Sequence, residues 1–407
     1  MSYPLPCVGI FAISLFISAQ TALTNTQTLP KMPTSSNQVE NQPRQDHSDS
    51  ASELSSQTPN RTVVQSVYGE TADGQTVLKF DCTNGRGNSM SMLSYGATMS
   101  SLNMPDRNGK RANIILTCPD MAGWQACTSY FGCSVGRFCN RIKEGKFTID
   151  GQSYSLATNN SPNHLHGGNQ GFDKLVWDAK PVTTADAVGV QFNYRSKDGE
   201  EGYPGNLDVQ VTYLLNDQDE LSFEFRATTD KVTPVNLTNH NYWNLAGHDS
   251  GNHLEQTLMI QADQYLVADD TLIPTGQLKD VAGTEFDFLS FRKIGERVQA
   301  AGLSQTKGYD LCYAIRDADG QPRLAATAKD PASGRVMEVH TDQPGLQFYT
   351  GNWLDGQAAS GGYDQYSGFC LETQHYPDSP NQESFPNTLL SPGDEYVHRT
   401  VLKFRTE

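Results

Sequence analysis

The apolar positions of this chain recur every second residue over strand-length runs. Leu207, Val209, Val211 and Tyr213 alternate with polar residues, and so do Leu221, Phe223, Phe225 and Ala227. The polar turn Asn216-Asp-Gln-Asp219 separates the two runs, which predicts an antiparallel hairpin with one face buried. A second hairpin is predicted where Lys146-Phe-Thr-Ile149 meets Gln152-Ser-Tyr-Ser-Leu156 across Asp150-Gly151, a dipeptide that accepts the positive φ angles of a tight type I′ turn. A period of 3.6 is scarce. Its best candidate is the short stretch 291–301, with Ile294 and Val298 four apart. No Pro, Ser or Gly-rich break divides residues 61–407, and no repeat period appears, so the expected fold is all-β: one large antiparallel β-sandwich.

The first 60 residues read differently. An apolar run from Val8 to Ala19 is too short to span a bilayer and leads into small and polar residues, the pattern of a signal peptide cleaved after Ala19 or Ala22. Residues 1–22 are therefore expected to be a signal, and the protein to be secreted or periplasmic, with no membrane insertion once the signal is removed. Residues 23–60 are rich in Ser, Gln, Asn, Thr and Pro and poor in aromatic and branched apolar residues. Such a segment buries too little surface to offset its ordering entropy, so a flexible tether is expected there.

Charge narrows the partners. Among 407 residues, 30 Lys plus Arg face 46 Asp plus Glu, a formal charge of -16 that repels phosphate backbones and anionic lipids. Nucleic acid is not an expected partner. Eight cysteines are present, and seven remain after loss of Cys7 with the signal. Their spacing forms no zinc pair, and a core this large needs no disulfide staple, so buried free thiols and bridges both remain open.

Five segments crowd polar, aromatic and Gly residues where a plain strand would alternate. They are Gly136-Arg-Phe-Cys-Asn-Arg-Ile142, Asn163-His-Leu-His-Gly-Gly168, the run 233–247 containing Thr238-Asn-His-Asn-Tyr-Trp-Asn244, Gly308-Tyr-Asp310, and Leu371-Glu-Thr-Gln374 preceded by Leu346-Gln-Phe-Tyr-Thr-Gly351. Oriented donors and acceptors beside an apolar face are what a polyol needs. In this order, and with Gly171-Phe-Asp-Lys174, Trp177, Gly202-Tyr-Pro-Gly205 and Pro377-Asp-Ser-Pro-Asn381, the chain after residue 61 resembles the aldose 1-epimerase (galactose mutarotase) family.

The resemblance implies a sandwich of twisted antiparallel sheets with a sugar in an open cleft, and interconversion of the α and β anomers of free aldohexoses such as glucose and galactose. It assigns the catalytic base to Glu372 and the acid to His240, and matches Asn140, Arg141, His166, Tyr242, Asp310 and Gln347 to positions that bind or orient the sugar. Neither a metal nor another cofactor is implied. Cys139 and Trp243 depart from the family pattern but remove no hydrogen-bonding group from the site.

The chemistry suits these residue types. Anomerisation removes a proton from the anomeric hydroxyl and delivers one to the ring oxygen, so one base and one acid suffice. Imidazole titrates nearest neutrality, and a partly buried Glu372 beside Gln374 rises toward the working range. Arg141 offers a fork of donors to sugar hydroxyls or to the Glu372 carboxylate. His166 is expected near the ring oxygen, and either it or His240 could be the proton donor. Neighbouring strand residues point opposite ways, so one of Tyr242 and Trp243 should line the cleft and the other pack inward. Asp173 and Lys174 read as structural, and His164, His248, His253, His375 and His398 as surface or supporting residues. Three rival functions fit parts of the pattern: a glycoside hydrolase using Asp310 and Glu372 as paired carboxylates, a non-catalytic sugar-binding module, and a sugar-phosphate epimerase, which would need an added basic cluster.

Overall fold

The hairpin predicted at 207–229 lies at the centre of the molecule's largest sheet. Leu207–Asn216 pairs with Glu220–Thr229, placing Val211 opposite Phe225 and Tyr213 opposite Phe223. The computed structural model describes residues 60–300 and 303–407; the expected signal and most of the expected tether lie outside the described residues.

Three larger sheets build the fold, and every strand pair in them is antiparallel. The first runs in chain order through Thr62–Glu70, Thr76–Thr83, Ser89–Leu93, Thr98–Pro105 and Arg111–Asn113. The second has nine strands, among them Ala187–Ser196, the central hairpin, Arg323–Lys329 and Arg335–Thr341. Its middle strand is the C-terminal Tyr396–Thr406, inserted between Glu220–Thr229 and Arg335–Thr341. The third sheet orders Pro274–Asp280, Gln264–Ala268, Asp310–Ala314, Gly345–Tyr349 and Cys370–Gln374.

One contiguous apolar core joins the three: Phe80 and Met92 from the first sheet, Val190, Val211 and Phe225 from the second, Leu311 and Phe348 from the third. Each side chain of this size contributes about 1.5–3 kcal/mol on burial. Truncating Phe225, which is 1 % exposed, to Ala would cost about 3–5 kcal/mol. The turn at Asp150-Gly151 has φ of 49° and 81°, as the I′ reading requires.

Residues 291–300, the described part of the stretch 291–301, do not form the expected helix. Arg292–Lys293 pairs with Thr257–Leu258, and only a single 3-10 turn, Ile294–Glu296, follows. Ile294 and Val298 are both buried, so core packing accounts for their spacing. The one α-helix among the described residues, Met121–Ala126, is capped by Asp120, whose carboxylate accepts from Gly123 N at 2.7 Å.

Candidate active site

Period-two alternation in the third sheet divides its residues between core and cleft. Leu311, Tyr313, Leu346, Phe348 and Leu371 are core residues. The opposite face is a grid set by register: Asp310 beside Tyr349 beside Cys370, then Cys312 beside Gln347 beside Glu372. Three strands thus place a carboxamide between two carboxyls on one surface. The Gln347 amide donates to Asp310 Oδ1 at 2.7 Å. Gln347 Oε1, Glu372 Oε2 and Gln374 Nε2 are buried without partners.

Loops bring the imidazoles to this floor. His240 follows the short strand Thr238–Asn239; its N–H donates to Cys133 O at 3.0 Å, and its carbonyl accepts from Gly132 N at 3.0 Å. Thr238 Oγ1 donates to Thr373 O at 2.8 Å, which fixes this segment beside the 370–374 strand. His240 Nε2 therefore lies 3.6 Å from Glu372 Oε1. Its ring stacks on Tyr242 at 5.2 Å, and its Nδ1 lies 3.6 Å from the Cys370 thiol.

His166 arrives on the sharp turn before Gly167, where a Cβ would meet Gly136 O at 1.8 Å. Its ring centroid is 5.1 Å from that of His240. Tyr130, with a left-handed φ of 59°, packs on both imidazoles at 4.7 and 5.8 Å.

The resulting open cleft encloses about 400 Å³, a size typical of small-molecule sites. Every site residue expected from the sequence lines it: Asn140, Arg141, His166, His240, Tyr242, Asp310, Gln347 and Glu372. Tyr242 faces the cleft, while Trp243 packs against Phe404 in the core, the opposed pair expected of neighbours. Tyr349 and the 54 % exposed Trp353 complete the rim.

Other expectations need correction. Arg141 makes no salt bridge with Glu372; its Nε donates to Asn160 Oδ1 at 3.2 Å, because its short strand pairs with His164–Leu165 beside that loop. Of the histidines expected at the surface or in supporting positions, His164, His253 and His398 take the second, buried with their rings held by backbone carbonyls at 157, 350 and 237. Asp173 and Lys174 do form a structural pair at 2.7 Å, with the ammonium 5.3 Å above the Tyr130 ring. The seven cysteines among the described residues are all free. Sequence reasoning missed Tyr130, which gives no signal from its loop. It also missed Cys370, which two-residue alternation with Glu372 could have placed in the cleft.

Burial governs the electrostatics. It pushes the Glu372 carboxyl well above the ordinary range, with the Asp310 charge adding and Arg141 opposing. It lowers His240 to about 4 and holds His166 well below its usual value. Asp310 is raised by burial against the pull of Arg141 and the Gln347 hydrogen bond.

His166, His240 and Glu372 bring one ligand atom each within 4.8 Å of one another, close enough to suggest a cation. The tautomer argues otherwise: Asn140 N donates to His166 Nδ1 at 3.1 Å, so the neutral ring carries its proton on Nε2 and presents a donor to the cleft. The arrangement suits proton transfer and hydrogen bonding.

A groove of similar volume on the nine-stranded sheet is lined by charges that pair with each other, Arg195 with Asp208 and Arg226 with Glu395, both at 2.8 Å.

The sequence profile of the family described as aldose 1-epimerase matches residues 79–403. The chain belongs to the aldose 1-epimerase family. It is 44 % identical over 347 residues to the galactose mutarotase of Homo sapiens, covering 84 % of this chain and 98 % of that protein. It is 36 % identical over 342 residues to the aldose 1-epimerase of Escherichia coli K12, covering 82 % and 97 %. Among solved structures, the galactose 1-epimerase of Lactobacillus acidophilus superposes with a TM-score of 0.77 at 26 % identity, over 85 % of this chain and 99 % of that one. An aldose epimerase homologue from C. elegans superposes with a TM-score of 0.72 at 28 % identity, over 85 % and 99 %. In this member of the aldose 1-epimerase family the cleft lies on a face of an antiparallel sheet, where strand register spaces Asp310, Gln347 and Glu372 and loops add the imidazoles.

Proposed function

We propose that the protein is an aldose 1-epimerase acting on free aldohexoses, glucose and galactose, with Glu372 and His240 as its proton-transfer pair. The observation that carries this is the 3.6 Å approach of His240 Nε2 to Glu372 Oε1 at the floor of the cleft. A sugar whose anomeric hydroxyl meets Glu372 and whose ring oxygen meets His240 loses a proton at one end and gains one at the other, and the ring opens to the aldehyde. Rotation about the bond from the first to the second carbon exposes the other carbonyl face, and reclosure reverses both transfers.

Burial alone places the pair's shared proton on Glu372, the arrangement that accompanies the open aldehyde. A sugar hydroxyl donating to the unpartnered Glu372 Oε2, together with Arg141, favours the carboxylate needed to start from the ring. The two states are thereby brought close in energy, which suits a reaction run equally in both directions. His166 donates through Nε2 toward the ring oxygen, and Asp310 and Gln347 hold hydroxyls farther round the ring.

Residues 61–407 form the catalytic part in this reading. The apolar run at 8–19 supports export, so that the enzyme meets its free sugars in a secreted or periplasmic setting. The glycoside hydrolase reading is less favoured because an imidazole stands 3.6 Å from Glu372, and the phosphate-sugar reading because, among the described residues, Arg141 is the only Lys or Arg lining the cleft. Polarimetry of freshly dissolved α-glucose and α-galactose tests the proposal. Faster decay to the equilibrium rotation with the protein supports it; rates equal to buffer for both sugars, with aryl glycosides cleaved instead, would reject it.

A further inference from the structure

The motif Gly171-Phe-Asp-Lys174 stands outside the lining of the cleft, yet its turn is built against the segment that carries one of the imidazoles. Phe172 N donates to Gly136 O at 3.2 Å and Gly96 N to Leu175 O at 2.7 Å, which anchors both ends of the 3-10 turn Phe172–Lys174. The same Gly136 carbonyl is the atom that a Cβ on Gly167 would strike, and a Cβ on Gly171 would meet His166 O at 2.7 Å. The turn carrying Lys174 and the turn carrying His166 therefore rest on one another, with no room for a side chain between them.

From this base Lys174 reaches the wall of the cleft. Its ammonium donates to Asp173 Oδ2 at 2.7 Å, and the Asp173 side chain is only 10 % exposed, so the carboxylate sets the direction of a long, flexible side chain. The ammonium stands 5.3 Å from the centre of the Tyr130 ring, within the reach of a cation–π contact. Tyr130 packs in turn on His166 at 4.7 Å and on His240 at 5.8 Å. It does so from a left-handed backbone with φ of 59°, which an aromatic residue keeps only where its surroundings hold it.

We propose that Lys174 is a positioning residue for proton transfer: through the Tyr130 ring it fixes where the imidazoles of His166 and His240 stand relative to Glu372. This rests on the epimerase reading of the cleft and adds to it a residue from outside the cleft. The negative face of the ring is drawn to the cation, so the two imidazoles keep a fixed wall beside them. Burial, the second imidazole and Arg141 hold His166 neutral, and the Lys174 charge adds to them. A displacement near 1 Å in such a site costs up to about 100-fold in rate, and loss of the Lys174 charge is expected to lower kcat about 10-fold. KM should stay nearly unchanged, because Lys174 lies outside the cleft.

The test uses the full-length protein and two readings: the histidine ring signals by NMR without sugar, and kcat and KM by polarimetry. In Lys174→Met the His166 and His240 signals should move while that of His398, held by Leu237 O and two threonine hydroxyls, stays in place. Asp173→Asn releases the ammonium without removing it and should move the same two signals in the same direction, a second measure should Lys174→Met not fold. Lys174→Arg keeps a cation at the ring and should restore both the signals and kcat. In a Tyr130→Leu background, adding Lys174→Met should bring no further loss of kcat. His166 and His240 signals that stay put would overturn the proposal. So would a lower melting temperature with kcat of the folded fraction unchanged, or losses that multiply in the double variant. The NMR reading involves no turnover, so it decides the placement of the imidazoles separately from the epimerase reading.

Discussion

His240 and His398 are both wholly buried, and burial lowers both, to about 4 and about 3. Their surroundings differ. His398 Nδ1 meets Leu237 O at 2.9 Å, and its Nε2 meets the hydroxyls of Thr373 and Thr400 at 3.0 Å, so both nitrogens are satisfied. His240 has a weak thiol partner at one nitrogen and a carboxyl at 3.6 Å from the other. The same strand makes both environments: Thr373 points to the satisfied side, and Cys370, Glu372 and Gln374 to the opposite face, where Glu372 lines the cleft and Glu372 Oε2 and Gln374 Nε2 stay unpaired. Depth of burial and a displaced pKa do not by themselves distinguish a catalytic histidine from a structural one; the uncommitted hydrogen-bonding capacity around it does.

Removing the cleft-side groups should produce the largest effects on turnover. Glu372→Gln and His240→Asn each leave the sheet intact and are expected to lower kcat by about 10²–10⁴-fold in polarimetric assays, with little change in melting temperature. His398→Ala should do the reverse. It orphans the Leu237 carbonyl and leaves the Thr373 and Thr400 hydroxyls only each other and Thr341, at about 1–3 kcal/mol for the buried group left without a partner, so thermal unfolding should occur at lower temperature while kcat of the folded fraction stays near that of the parent.

Protonation sharpens the contrast. His398 has a folded pKa depressed from 6.5 to about 3, so the unfolded chain binds this proton more readily; its contribution is fully present above pH 6.5 and is lost as pH falls toward 3. Denaturant titrations should show that part of the acid sensitivity disappearing in His398→Asn. For turnover, a proton added to His240 near pH 4 saturates the pair, and loss of the proton from the raised Glu372 empties it. The profile of kcat/KM should therefore fall on the acid side near pH 4 and on the alkaline side above the ordinary carboxylate range, with its plateau between. The smallest effect is expected at Cys370→Ala, which removes only a weak contact to His240 Nδ1. It should lower kcat a few-fold and shift the acid limb of the profile without altering KM.

Much of this was legible in the sequence, for identifiable reasons. Alternation at 207–229 reported a strand pair because one face is core, and the motif order brought out eight of the residues that line the cleft. The stretch 291–301 misled because two buried residues four apart are as compatible with a strand end and turn as with a helix. Arg141 lines the cleft as expected and, of its two expected partners, the Glu372 carboxylate is not bonded, since a fork of donors satisfies Asn160 or a carboxylate equally and only the paired strand decides. Tyr130 was invisible: its position depends on a left-handed backbone in a loop, a property that its side chain does not signal.

The central claim is that Glu372 and His240 act as one unit on one bound sugar. Measuring kcat for Glu372→Gln, His240→Asn and the double variant under the same conditions tests it most directly. Acting together, they predict a double variant about as slow as either single one; losses that multiply in the double variant would contradict the account.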